Sequence, residues 1–189
     1  PRLRLPILEL ALPALKQRPS EQISYLFELL TKLRALDATP RLFDFVLVRV
    51  LAAFLPTAGG APRSAAQHRA APPNARTAIR TLLTTVAAFG HDNAAGARAA
   101  YAAGLAALGW PAERDSDPSF EPPAAARDLD RLDAALVALV SLRPQHKQRL
   151  LRSLLATIHA DAKIALAERE LFRVIAATLD CPLPPGDDL

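Results

Sequence analysis

The sequence predicts an all-α fold, a helical bundle of about eight helices. Alanine makes up about a fifth of the 189 residues, and Leu and Arg, which also favour helices, are frequent. Phe, Trp and Tyr form only 5% of the chain and β-branched residues are scarce, so little favours a sheet. Apolar residues recur every three or four positions, the spacing of one helical face. With 51% hydrophobic residues, the chain can bury a core as one domain over residues 1–189.

The first three helices are predicted from apolar stripes and from the residues at their ends. The first carries four leucines on one face, namely Leu5, Leu8, Leu12 and Leu15. Ser20 is expected to be the N-cap of a second helix that ends near Leu36. Pro40 suits the start of a third helix, over about 42–55. This third helix is apolar nearly all round, which predicts a position in the middle of the bundle.

Two loops rich in proline separate the helices of the middle of the chain. Residues 56–74 contain four prolines and two glycines, and residues 109–124 contain four prolines and several acids, so both are predicted to be mobile loops. Between them, Asn74 is expected to cap a fourth helix, and Asp92 or Asn93 a fifth. The many alanines of the fifth helix permit close packing against a neighbour.

Three further apolar stripes predict the last three helices, the second opened by Pro144 and the third stopped by Pro182. The stripes are Leu129, Leu132, Leu136, Leu139 and Val140; Leu150, Leu151, Leu154, Leu155 and Ile158; and Ala167, Leu171, Val174, Ile175 and Thr178.

An internal repeat relates the two ends of the chain. Shifted by 124 residues, positions 30–55 align without a gap on 154–179, and ten positions are identical. Each repeat unit, about 20–55 and 144–180, is predicted to be helix, short acidic turn, helix. The simplest architecture is a pseudo-symmetric pair of helical hairpins, completed by the helices between them.

The two turns resemble a motif of a known family. Residues 36–45 (LDATPRLFDF) and 160–168 (ADAKIALAE) are similar to the A-D-G-x-[IV]-x-x-x-E turn of TerB-like (tellurite-resistance) helical domains. The family's glycine is Ala38 in one unit and Ala162 in the other. The flanks, residues 5–15 and 174–185, resemble the cytosolic C-terminal region of bacterial HtpX-like membrane metallopeptidases, which are zinc enzymes of the Ste24/CAAX-protease type.

This resemblance implies two TerB-like units in a non-catalytic accessory, regulatory or protein-interaction domain of a membrane-bound zinc metallopeptidase. The zinc would belong to a peptidase domain absent here, and the partners would be that domain or other proteins. The location implied is the cytoplasmic face of the bacterial inner membrane, with this piece itself soluble. A chain that begins at Pro1 and contains no Met is expected to be a fragment. The alternative is a free-standing TerB-like stress-response module that binds a divalent cation.

Four carboxylates at the turns are the candidate metal ligands, for calcium or another divalent cation. They are Asp37 with Asp44, and Asp161 with Glu168. Calcium takes about six to eight oxygens, so each pair is too small unless the two turns meet in space. The local interpretation is that Glu168 forms half of a capping box and Asp161 accepts N–H groups in an Asx-type turn.

No catalytic or cofactor-binding residue is assigned, and the piece is not expected to be an enzyme. The four histidines, His68, His91, His146 and His159, form no H-E-x-x-H motif. His91 beside Asp92 is interpreted as a helix cap or surface residue, and Cys181 as packed. Trp110 is interpreted as a loop anchor, with a partner-binding aromatic as the alternative.

Nucleic acid and membrane spanning are both disfavoured by the sequence. The arginines are scattered, so the net charge of +4 predicts a solvated surface and no nucleic-acid partner. The longest uncharged stretch, 99–112, is shorter than the roughly 20 residues of a membrane span. A membrane-proximal position remains compatible with the charge.

Overall fold

A computed structural model describes residues 4–36, 41–55, 73–110, 120–161, 163–181 and 183. Within these ranges the chain forms nine α-helices and no strand, which confirms the predicted all-α bundle. The helices are α1 (Arg4–Lys16), α2 (Ser20–Leu36), α3 (Leu42–Phe54), α4 (Ala75–Gly90), α5 (Ala94–Ala107), α6 (Pro123–Ala126), α7 (Leu129–Leu139), α8 (Pro144–Ile158) and α9 (Leu166–Thr178). A 3-10 turn, His159–Asp161, follows α8. Among the described helices, none has both the length and the apolar character that crossing a bilayer requires.

Helix α4 lies at the centre of the bundle and packs against α5, α6, α7, α8 and α9. Leu82, Leu83 and Val86 are fully buried there, and small side chains such as Ala87 let neighbouring helices approach on several sides. The prediction that the third helix is central is therefore wrong. Helix α3 buries one face against α9 and leaves its other positions half-buried.

The repeat is visible in the helix boundaries. A shift of 124 residues carries α3 onto α9, Leu42–Phe54 onto Leu166–Thr178, and carries the start of α2 onto the start of α8. Helices α3 and α9 pack against each other. The two units differ in their surroundings, because α8 is covered by α4 and α5, whereas α2 packs chiefly against α3.

The helix ends follow the sequence in part. Asn93 caps α5 as expected, with its Oδ1 accepting the Gly96 N–H at 2.7 Å. The side chain of Asn74 makes no capping hydrogen bond, because its backbone (ψ 8°) is not in the extended conformation of an N-cap. Ser20 is the first residue of α2 rather than its cap, and the carbonyl of Pro19 accepts the first helical N–H groups.

Residues 56–72 and 111–119, which make up most of the two predicted loops, lie outside the described residues. The prediction that the loops are mobile concerns these same residues. The end of the second loop is helical instead: α6 packs on α4, and its Ala126 carbonyl accepts the Thr85 hydroxyl at 3.0 Å. Proline suits the first turn of a helix, which lacks N–H partners in any case. A proline-rich stretch thus carries a short helix that the sequence pattern did not indicate.

Two half-buried arginines at equivalent repeat positions tie the helices together. Arg49 of α3 pairs with Asp133 of α7, and Arg173 of α9 pairs with Glu9 of α1 at 2.6 Å. Each pair links helices far apart in sequence. Since the pairs are only partly exposed, solvent screens them less than it screens a surface ion pair.

Candidate functional site

A groove of about 380 Å³ lies between α4 and α8. This volume falls in the range of ligand-binding clefts. Its walls consist of apolar side chains, with three basic residues among them. The lining residues are Pro73, Ala75, Arg76, Ile79, Leu108, Trp110, Leu142, His146, Arg149 and Leu150.

Trp110 forms one wall because of how α5 ends. Gly109 adopts a left-handed conformation (φ +72°), which a residue with a side chain adopts only with strain. The Trp110 N–H then returns to the Leu105 carbonyl at 3.0 Å, a typical glycine-dependent helix end. This turn directs the indole towards the start of α4, where the guanidinium of Arg76 lies 4.9 Å from the ring centroid. The stacking orients both groups.

The other basic groups stand on α8. Arg149 donates a hydrogen bond from its Nη2 to the Leu108 carbonyl at 3.3 Å, so its side chain is held at the groove. His146 lies one turn earlier on the same helix and is exposed. No carboxylate is present among the described residues that line the groove. The groove therefore combines apolar surface with positive charge.

The sequence singled out Trp110 and His146 but did not identify the groove. Its other basic residues, Arg76 and Arg149, lie on helices some 70 residues apart in sequence, and only the packing of α4 against α8 brings them together. The one sequence signal was the i, i+3 spacing of His146 and Arg149, which places two basic groups on one helical face. Trp110 fits both interpretations made from the sequence, since it packs against Arg76 and also lines a cleft.

The candidate metal ligands make the local bonds expected of them. Asp161 accepts the Lys163 N–H at 3.0 Å, which confirms the Asx-type turn. Glu168 is fully buried, and its Oε2 accepts the Ala165 N–H at 2.8 Å, which confirms its capping role. Asp44 lies half-buried in the first turn of α3, and Asp37 lies outside the described residues.

The structure brings Asp161 and Glu168 to the end of α4, beside His91. The imidazole of His91 is buried, with Nδ1 3.1 Å from the Ala87 carbonyl and Nε2 3.3 Å from Asp161 Oδ2. The interpretation of His91 as a helix cap is thus supported. Its acidic partner, however, is Asp161 and not the neighbouring Asp92, whose side chain is fully exposed.

Glu168 fits this junction because its neighbour is a glycine. A Cβ on Gly90 would lie 2.0 Å from Glu168 Oε1, so only glycine leaves room for the carboxyl group. Burial raises the pKa of Glu168 above the ordinary glutamate value, opposed by the Ala165 hydrogen bond and by His91. Oε1 itself has no hydrogen-bond partner among the residues that the structure describes. Burial without a second partner favours the neutral acid.

In the part of the chain that the structure describes, no three His, Cys, Asp or Glu side chains are grouped as a metal site would need. This covers Asp44, Asp161 and Glu168 but not Asp37. Cys181 is partly buried, with its Sγ 3.6 Å from the Leu179 carbonyl. His159 is exposed, and His68 lies outside the described residues.

Comparison of the chain with protein families, with curated proteins and with solved structures gave no match. The assignment of a function therefore depends on the groove and on the resemblance described from the sequence.

Proposed function

We propose that this chain is a non-catalytic protein-interaction module whose groove between α4 and α8 binds an acidic, partly apolar segment of a partner protein. The observation that carries this proposal is the composition of the groove. Five large apolar side chains, Ile79, Leu108, Trp110, Leu142 and Leu150, share it with three basic ones and with no carboxylate of the described residues.

Each part of the groove favours a different property of the bound segment. The apolar residues reward burial of leucine-like or aromatic side chains, at about 25 cal/mol per Å² of apolar surface removed from water. Arg76 and Arg149 are held in place before binding, by Trp110 and by the Leu108 carbonyl. Preorganised guanidinium groups lose less entropy when they bind a carboxylate. Acidic residues beside apolar ones are therefore the preferred partner chemistry.

The parent protein that we propose is an HtpX-like membrane zinc metallopeptidase, with this chain as its accessory or regulatory domain at the cytoplasmic face. The support is the resemblance of residues 5–15 and 174–185 to that family's C-terminal region. The partner segment would then belong to the peptidase domain or to another protein. The gene upstream tests this: transmembrane segments and an H-E-x-x-H motif are expected, and their absence would refute the parentage while leaving the groove proposal standing.

Binding of a divalent cation is the alternative proposal, and it rests on the TerB-like turns alone. Asp161 and Glu168 already use one carboxylate oxygen each for a backbone N–H. A calorimetric titration with calcium tests it directly. Binding heat together with a raised melting temperature would support a cation module, and the absence of both would end that alternative.

Trp110 provides the direct assay for the groove, because it is the chain's single tryptophan. The probe is a synthetic helical peptide with leucines spaced three and four apart and glutamates flanking them. We expect a saturable change in tryptophan emission with this peptide, and a much weaker one with a control peptide in which every glutamate is lysine. Equal responses to the two peptides, or none, would refute the proposal.

Variants of the basic residues test the charge contribution separately. Arg76→Gln and Arg149→Gln should each weaken binding of a fluorescently labelled acidic peptide by about 2–5-fold, since a partly exposed ion pair contributes about 0.5–1 kcal/mol. Arg152→Gln is the matched control, an exposed arginine of α8 that does not line the groove. Equal weakening by all three variants would show a non-specific charge effect and contradict the groove assignment.

A further inference from the structure

We propose that two copies of this chain associate through α2, with the two α2 helices antiparallel. Helix α2 has one buried face and one exposed apolar face. Ile23 is only 2% exposed on the buried face. The exposed face carries Tyr25 (64% exposed), Leu29 (42%), Leu33 (52%) and Leu36 (81%). Their spacing of 4, 4 and 3 residues keeps them on one side of the helix.

The repeat shows what covers the equivalent face in the second unit. A shift of 124 residues places Leu29 on Ser153 and Leu33 on Thr157, and both of these α8 residues are fully buried. Helix α5 lies against them so closely that a Cβ on Gly104 would be 2.2 Å from Thr157 Oγ1. In the second unit, a helix of the same chain therefore packs on this face.

The residues of the first unit are suited to a different covering partner. Where α8 has small polar side chains beneath a closely packed helix, α2 has large leucines that remain exposed in the described structure. Large apolar side chains along one exposed face are typical of a protein interface. Among the described residues, the bundle supplies a partner helix for α8 and none for the corresponding face of α2.

The charge pattern of α2 identifies a second copy as the partner. Glu28 and Lys32, one turn apart and both exposed, flank the apolar face on the same side. When two α2 helices pair antiparallel with their midpoints together, Glu28 of each lies beside Lys32 of the other. The same surface is then self-complementary, as a two-fold symmetric dimer requires.

The contact is small, which sets the expected affinity. Helix α2 has 17 residues and is therefore about 25 Å long. One helix pair of this length buries less than the about 800 Å² per partner of a standard interface. We therefore expect a concentration-dependent dimer with a Kd of roughly 1–100 μM.

Sedimentation velocity across that concentration range is the test, with the full chain and no added ligand. The sedimentation coefficient should rise from the monomer to the dimer value. The variant Leu29→Ser/Leu33→Thr, which gives α2 the residues of α8, should weaken association at least about tenfold, the equivalent of 1.4 kcal/mol. Val137→Ser, which changes a side chain 60% exposed on α7, is the control and should leave association unchanged.

A charge exchange tests the antiparallel arrangement. Glu28→Lys and Lys32→Glu should each weaken the dimer, and the double variant should restore it, because both charges then pair again across the two-fold axis. Circular dichroism confirms that the helices are retained in every variant. A monomer at all concentrations, a dimer insensitive to Leu29→Ser/Leu33→Thr, or a double variant as weak as the single ones would each overturn the proposal. None of these results bears on peptide binding in the groove.

Discussion

Replacing Gly104 by alanine tests how closely α5 and α8 approach. Gly104 is a buried residue of α5. An added Cβ would lie 2.2 Å from Thr157 Oγ1, 3.0 Å from Leu83 Cδ2 and 3.3 Å from the Ser153 carbonyl. The Thr157 hydroxyl donates to that same carbonyl at 3.0 Å. The alanine methyl group would therefore displace a buried hydroxyl and its hydrogen bond.

The magnitude follows from three opposing contributions. Replacing glycine by alanine inside a helix stabilises it by about 1 kcal/mol. Overpacking a core costs about 1–3 kcal/mol, and a lost buried hydrogen bond about 1 kcal/mol more. Gly104→Ala should therefore lower the free energy of unfolding by about 1–3 kcal/mol, despite the better helix propensity. For a chain of this size the expected fall in Tm is about 2–12 °C.

Urea unfolding followed by circular dichroism measures the effect. Ala106→Gly, at an exposed position of α5, measures the propensity contribution alone. Thr157→Ala removes the obstructing hydroxyl, so in its background Gly104→Ala should cost at least about 1 kcal/mol less than in the native background. If Gly104→Ala proves as stable as the native chain, α5 and α8 do not pack at the distance described.

Three further predictions concern a buried acid, an ion pair and a helix cap. The unfolded chain loses the Glu168 proton at lower pH than the folded chain, so the free energy of unfolding should fall as pH rises between those two pKa values, by at most about 1.4 kcal/mol per pH unit. In urea unfolding at several pH values, Glu168→Gln should lack this pH-dependent fall. The same dependence on pH in the native chain and the variant would contradict the prediction. A double-mutant cycle of Arg173→Gln and Glu9→Gln should give a coupling free energy of about 0.5–1 kcal/mol that decreases as salt is added. A coupling of zero would mean that this ion pair does not link α1 to α9. Asn93→Ala should cost about 1 kcal/mol by thermal unfolding while Asn74→Ala costs much less, and equal losses would contradict the capping geometry.

The helices could be predicted from the sequence because local periodicity determines them. The stripe from Leu150 to Ile158 specifies a helix and its buried side whatever the neighbours are. The central position of α4 could not be predicted in this way. Its stripe includes the buried polar residues Thr84 and Thr85, and Thr85 donates a hydrogen bond to the Ala126 carbonyl of α6, a helix distant in sequence. Hydrophobicity alone favoured α3, which tertiary contacts place to one side.

The candidate sites show the same division between local and long-range information. The bonds of Asp161 and Glu168 to backbone N–H groups span two and three residues, so the sequence pattern was enough to predict them. The burial of Glu168 beside Gly90 depends on how α4 meets α9, and its repeat counterpart Asp44 is only half-buried. The groove likewise requires α4, α8 and the end of α5 together. Sequence similarity between the units therefore did not predict similar surroundings.

The packing of α3 on α9 has a consequence during protein synthesis. The two helices begin 124 residues apart, so the apolar face of α3 leaves the ribosome well before its partner exists. At about 5–20 residues per second, the delay is roughly 6–25 s. Throughout that interval the surface of α3 that packs on α9 lacks its native partner. We therefore expect the yield of the folded chain in a cell to depend on chaperones that shield emerging apolar helices.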